Sequence, residues 1–152
     1  MAKLSKYMKQ IVKEQKLGFV ATVDAEGKPC VSPKGTFFVL DNEHLIFGDL
    51  RSPQTTQNLK NNPWLEVNFV DQFSRKGFRA KGKAEIFKRN SPEFDRLIGF
   101  FKEWPDLIDM TSNIIKIKIE SASNVASPDY EIGVTETKLR AEYSEYFKSI
   151  QP

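Results

Sequence analysis

Two short stretches of this chain hold residue types that could bind an anion. The first is Ser32-Pro33-Lys34-Gly35-Thr36. Ser32, Lys34 and Thr36 fall two apart, so on a strand they share one face as a row of hydroxyl, ammonium and hydroxyl. Pro33 and Gly35 weaken a strand ladder and are tolerated at an edge, at a bulge, or where something comes close to the backbone. The second stretch is Asp49-Leu50-Arg51-Ser52-Pro53-Gln54-Thr55-Thr56. Ser52-Pro53 marks a helix start by two rules: serine caps free amides, and proline suits the first helical position. The first amides of such a helix lack internal partners and carry the positive end of its dipole, which stabilises a phosphate. Thr55 and Thr56 add hydroxyls, and Arg51 adds a guanidinium shaped for bidentate phosphate contact. Each stretch also has an ordinary reading: a capped helix beside a surface arginine, and a solvent-facing strand side with a bulge.

Other chemistry-bearing residues are sparse. Arg79, Lys81 and Lys83 alternate as a basic row. That row is either a solvated sheet face or a set of cations reaching an anion across a subunit boundary. His44 is the only histidine and is expected at the surface beside a turn; Cys30 is the only cysteine, expected as a buried or half-buried thiol. No second histidine or cysteine is present to build a typical zinc site, so no metal is expected. No Ser–His–acid set can be singled out, and there is no Walker or dinucleotide glycine fingerprint. No catalytic side chain is assigned. If the protein is an enzyme, a bound cofactor carries the chemistry.

The bulk properties fit a soluble globular chain. At 152 residues it is most simply one domain, residues 1–152, able to bury a real core. Apolar residues make up 39% and charged residues 28%, which is ordinary. Twenty-three basic against 20 acidic side chains leave a net charge of +3, too small to call for a polyanion partner. A lone cysteine permits no internal disulfide and fits a reducing cytoplasm. The opening MAKLSKYMKQ lacks the apolar core of a leader peptide, and no apolar run is long enough to cross a bilayer.

The elements that must position the two stretches follow from periodicity. Leu4, Tyr7, Met8, Ile11 and Val12 make one face of a helix over 4–16, with Gly18 as its stop. Strands are expected at 18–24, 31–40, 44–48, 64–71, 78–88 and 113–120, joined in part by tight turns at 24–28 and 41–43. In the fifth, Phe78, Ala80, Gly82, Ala84 and Ile86 share a face whose small residues suit a narrow barrel or a bend. Helices are expected at 53–61, 91–104 and 136–150, and residues 121–134 as a loop or weak strand extension. Six short strands with peripheral helices predict a mainly β (α+β) fold, a small antiparallel barrel.

The order of these motifs resembles the pyridoxamine-phosphate-oxidase-like flavoproteins. The likeness runs through Phe19-Val20-Ala21-Thr22-Val23-Asp24, Gly27-Lys28-Pro29 and Val31-Ser32-Pro33-Lys34-Gly35. It continues in Phe47-Gly48-Asp49-Leu50-Arg51-Ser52, Thr55-Thr56-Gln57-Asn58-Leu59 and Asn62-Pro63, and ends with Gly77-Phe78-Arg79-Ala80-Lys81-Gly82-Lys83-Ala84-Glu85. It covers about residues 17–88. The resemblance implies a six-stranded antiparallel split β-barrel, working as a homodimer with flavin mononucleotide (FMN) in clefts between the subunits. It implies that Ser32, Pro33, Lys34, Gly35 and Thr36, with Asp49, Arg51, Ser52, Thr55 and Thr56, hold the phosphate and the ring edge. Asn58 and Leu59 would fix the helix, and Lys76 and Arg79 would approach from the partner subunit.

The function expected on this basis is an FMN-dependent oxidoreductase acting on a small molecule. The alternative is a non-catalytic binding protein for a flavin, a deazaflavin or haem. A nucleic-acid-binding barrel using Arg79, Lys81 and Lys83 is disfavoured by the near-balanced charge, and no membrane partner is expected.

Overall fold

The computed structural model describes residues 4–152; of the opening stretch discussed above, Met1–Lys3 lie outside it. Seven antiparallel strands form one curled sheet: β1 (Gly18–Val23), β2 (Pro29–Lys34), β3 (Phe37–Val39), β4 (His44–Asp49), β5 (Trp64–Asp71), β6 (Lys76–Lys88) and β7 (Asn113–Ala126). Their order is β2-β1-β5-β6-β7-β4-β3. Five helices surround the sheet: α1 (Lys6–Gln15), α2 (Pro53–Asn61), α3 (Pro92–Leu97), α4 (Pro105–Ile108) and α5 (Glu136–Ile150). The result is a split barrel, mainly β with peripheral helices.

The strand count is seven because the segment expected as one strand over 31–40 is two. β2 pairs with β1, and β3 pairs with β4. These are the opposite edges of the sheet. The chain crosses from one edge to the other at Gly35 and Thr36, which brings the edges together. Pro33 lies on edge strand β2, where its missing N–H is tolerated.

The basis of α1 is its apolar face: Met8, Ile11 and Val12 are buried, and Ser5 caps it by accepting from the Met8 N–H at 3.1 Å. Its stop is Lys16, not Gly18; Lys16 takes the left-handed conformation at φ 60° and returns its N–H to the Val12 carbonyl. The barrel core packs Leu4, Met8, Ile11 and Val12 against Phe37, Phe47, Phe69 and Phe78. Phe69 and Phe78 stack at 5.5 Å, and Phe37 meets Phe69 edge-on at 4.9 Å. A second core of Ile46, Phe94, Phe101 and Ile114 joins α3 to the other side of the sheet. The helix expected over 91–104 is interrupted: α3 passes into a 3-10 turn at Ile98–Phe101, and Pro105 starts α4.

β6 and β7 pair over almost their whole length, with a register shift at Lys81/Gly82 where Glu120 has no partner. Beyond this bulge β7 continues to Ala126, so the weak extension expected after Glu120 is strand. A Cβ on Gly82 would lie 2.2 Å from the Lys118 carbonyl oxygen and 3.0 Å from Ile117 Cγ2. The backbones approach here because Gly82 has no side chain. Gly82→Ala must push the two longest strands apart, at a cost of about 1–3 kcal/mol. Urea unfolding should show a lower midpoint; an unchanged midpoint would mean that the bulge absorbs a methyl freely.

Candidate functional site

The site is built where the sheet edges meet the start of α2. On β2, Cys30, Ser32 and Lys34 pair with Thr22, Val20 and Gly18 and point to the inner side of the sheet, as the alternation predicts. Lys34 is only 6% exposed. Its Nζ donates to Ser32 Oγ at 2.8 Å and to Ser52 Oγ. Among the described residues no carboxylate is in ion-pair contact with it. Burial lowers its pKa from the usual lysine value, and Asp49 opposes that only in part. Thr36 is buried too, its Oγ1 accepting from the Gly48 N–H at 3.2 Å and lying 3.3 Å from the Gly48 carbonyl.

The expected serine cap is not made. Ser52 has φ −128° and ψ 58° and gives no side-chain hydrogen bond to the first turn of α2. Its hydroxyl is turned to Lys34 instead. Proline at the first position has no N–H, so the Gln54 and Thr55 amides are the free donors of this helix start.

Asp49 holds the helix start in place. This buried carboxylate accepts from the Ser52 N–H at 3.0 Å, Thr56 Oγ1 at 2.7 Å and Asn113 Nδ2 at 2.9 Å. It thereby ties the end of β4, the first turn of α2 and the start of β7 together. Asn58 does the same further along. It donates to Thr22 Oγ1 at 3.0 Å and accepts from Gln54 Nε2 at 2.7 Å. Asp49, Thr56 and Asn58 therefore support the cradle through bonds to the protein itself.

Three clefts meet at Ser52. One, of about 290 Å³, is lined by Thr22, Cys30, Ser32, Arg51, Gln54 and Thr55. A second, also about 290 Å³, is lined by Pro33 to Thr36, Gly48, Leu50, Trp104 and Leu107. A third, of about 380 Å³, lies along Arg51, Gln57, Lys60 and Ser112. Arg51 is exposed and borders two of them. Trp104 and Leu107 were not among the expected site residues. They lie far along the chain in a helical segment, and only the packing of that segment beside β3 brings them to Gly35.

The single chain does not bring Lys76 and Arg79 to these clefts. Lys76 Nζ lies 4.4 Å over the Tyr130 ring and 3.5 Å from Glu136. Arg79 Nε is 3.4 Å from Ser123 Oγ and 3.8 Å from Glu66, on the outer face of the sheet. His44 is half-buried beside the β3–β4 turn, with Nδ1 2.9 Å from the Asp41 carboxylate. Among the described residues, no group of three or more His, Cys, Asp or Glu could hold a metal ion, and no helix is long and apolar enough to cross a membrane.

The fold is thus a split barrel in which a buried lysine faces the start of α2. The chain belongs to the pyridoxamine 5'-phosphate oxidase-like family, whose model, described as pyridoxamine 5'-phosphate oxidase, matches residues 4–126. Among solved structures it is similar to HupZ of Group A Streptococcus, with 28% identity and a TM-score of 0.71 over 81% of this chain and 94% of that one. An FMN-binding protein from Syntrophomonas wolfei shares the fold at 14% identity, TM-score 0.69, covering 82% of this chain and 87% of that one. HutZ, the haem storage protein from Vibrio cholerae, does so at 22% identity, TM-score 0.65, covering 83% and 95%. Among curated proteins no sequence match is found.

The Asp49 network makes a direct prediction. Asp49→Asn replaces one acceptor oxygen with a donor that faces the donors it must satisfy. The loss should be about 1–3 kcal/mol, seen as a lower urea midpoint together with faster amide exchange in the first turn of α2. Exchange unchanged there would mean that β4 alone holds the helix start.

Proposed function

We propose that the protein is an FMN-binding flavoprotein that acts as an FMN-dependent oxidoreductase on a small molecule. The observation that carries this reading is Lys34: a buried ammonium, hydrogen-bonded to two neutral hydroxyls, beside a helix start whose amides are free. Burying a charge costs several kcal/mol, while each hydrogen bond to it returns about 1.5–3. A phosphate at Ser52 would supply the missing negative charge. The donor set fits such a group: Lys34, the Ser32 and Ser52 hydroxyls, the Gln54 and Thr55 amides, Thr55 Oγ1 and the Arg51 guanidinium. When bound, FMN supplies hydride or electron transfer. The chain's own part is to bind, orient and shield. The phosphate donors anchor one end, Asp49 and Asn58 keep the helix start from shifting, and Leu50, Trp104 and Leu107 wall the adjoining cleft against water.

The proposed working unit is a homodimer. Phe19, Val31, Trp64 and Val70 are exposed, with Val31 at 67%. They share the outer face of β2, β1 and β5, where Phe19 pairs with Pro33 and Val31 with Ala21. Such a face supports burial against a second copy. Arg79 lies on the same face, positioned to approach a partner's cleft. Localisation in the cytoplasm goes with this reading.

The alternative, a binding protein without turnover for a flavin, a deazaflavin or haem, would use the same clefts. Haem is the least supported of these. The only histidine is held by Asp41 at the β3–β4 turn and lines none of the three clefts at Ser52.

Titration of the protein with FMN, followed by flavin fluorescence, tests the reading. Lys34→Met should weaken binding most, about tenfold to hundredfold for the loss of a charge-assisted hydrogen bond. Exposed Arg51→Ala should weaken it less, and Thr55→Val also. Unchanged affinity in Lys34→Met would place the phosphate elsewhere. Affinity should also depend on pH. Lys34 accepts a phosphate as the ammonium, and its empty-site pKa is lowered by burial. Above that pKa each binding event must take up a proton, so affinity should fall by up to about tenfold per pH unit. Analytical ultracentrifugation of Val31→Lys should show monomer where the parent protein shows dimer. Reduction of the bound flavin by NADH or NADPH, then re-oxidation by an acceptor, separates an enzyme from a binder.

A further inference from the structure

The contact between Ser52 and Lys34 is also the one a nucleophile makes with its base. A helix-capping serine ordinarily turns its hydroxyl to the helix amides. Here it turns to a lysine that is 6% exposed and, among the described residues, in ion-pair contact with no carboxylate. Ser32 Oγ holds the same ammonium from the other side at 2.8 Å. Ser52 also stands where the clefts meet, so a small molecule in either of the two 290 Å³ spaces can reach its hydroxyl.

We propose that the cofactor-free protein carries a serine–lysine acyl-transfer site, with Ser52 as nucleophile, Lys34 as its base and Ser32 as the residue that positions Lys34. Its substrates are small esters of simple carboxylic acids. The requirement for such a pair is a hydroxyl within hydrogen-bond reach of an amine held away from water. Burial lowers the pKa of Lys34, which favours the neutral amine that a base needs; Asp49 from β4 opposes this in part, and Arg51 is the other charged group bordering the cleft. The free amides of Gln54 and Thr55 are the donors at hand for a developing oxyanion.

The chemistry balances without any oxidant or reductant. Ser52 Oγ bonds to the ester carbonyl carbon while its proton passes to neutral Lys34, and the carbonyl electron pair moves onto oxygen. As the carbonyl re-forms, the bond to the leaving alkoxide breaks and that oxygen takes the proton from Lys34. Water then attacks the acyl-serine, giving its proton to Lys34. Ser52 leaves with that proton, and the carboxylic acid is released. Phosphate at Ser52 and an acyl group on Ser52 exclude one another, so the activity belongs to the empty cleft. It does not depend on which cofactor, if any, the protein binds.

The probe is 4-nitrophenyl acetate with cofactor-free protein, followed by nitrophenolate absorbance and peptide mass spectrometry. An acetyl group on Ser52 is expected, with a rate that rises with pH as Lys34 loses its proton and falls on adding inorganic phosphate. Ser52→Ala and Lys34→Met should each lower the rate about a hundredfold. Lys34→Arg tests the base directly. Arginine keeps the positive charge that an anion needs but cannot act as a base. It should therefore lose ester turnover while the fold, read by urea unfolding, is kept. Acetyl on Cys30 or a surface lysine with Ser52 unmodified, a parental rate in Ser52→Ala, or a parental rate in Lys34→Arg would each overturn the assignment.

Discussion

Between Lys34 and Phe37 the chain leaves one edge of the sheet and joins the other. β2 closes on β1 and β3 on β4, and these are the two ends of the strand order. Two linking residues leave no room for a loop that would carry polar groups into water. The side chains on the inner face at this crossing must therefore be buried, whatever their type. Lys34 is one of them, and its ammonium has to find partners inside the protein. The nearest available are Ser32 on its own strand and Ser52 at the start of α2. The crossing that closes the barrel thus also creates the site.

Its electrostatics follow from how Asp49 is used. That carboxylate could have neutralised Lys34, and its field does reach the ammonium. It is committed instead to the Ser52 amide, Thr56 and Asn113. A carboxylate satisfied by three donors is held in a fixed orientation. The helix start is thereby tied to β4 and β7, and Lys34 has no carboxylate partner among the described residues. A direct Lys34–Asp49 ion pair would have been a closed structural element; separating the two leaves Lys34 bonded only to the serine hydroxyls, among the described residues.

Much of this was legible in sequence, and the rest was hidden for identifiable reasons. The alternation of Ser32 and Lys34 places them on one face of β2, Thr36 falls beyond the strand break, and Ser52-Pro53 marks the helix start. The break of one strand into two was hidden because alternation continues unbroken through Gly35: Phe37 and Val39 keep the period of two after the crossing. The length of β7 was hidden by the bulge at Glu120. Ile115, Ile117 and Ile119 face inward, the unpaired residue shifts the phase, and Ala122 then takes the inward position. Periodicity read across a bulge always looks like a strand that has ended. The role of Asp49 could not be inferred, because Asn113 lies 64 residues away and only β4–β7 pairing brings it near. Ser52 was read as a cap because local rules assign it one. Those rules contain no term for a lysine arriving from another strand.

The ordinary and the functional readings of the site are separated by the proton on Lys34. Charged, the lysine donates to the two serine hydroxyls. Neutral, it is a hydrogen-bond acceptor, and the Ser52 hydroxyl becomes the donor in the same contact. The heavy-atom geometry is identical in both states. The barrel holds that geometry through backbone pairing and the Asp49 network, neither of which uses the Lys34 ammonium. Burial lowers the Lys34 pKa and so favours the amine, while a bound phosphate would favour the ammonium. A site of this kind needs no moving part to change its chemistry. Its two modes share every residue and differ by one proton.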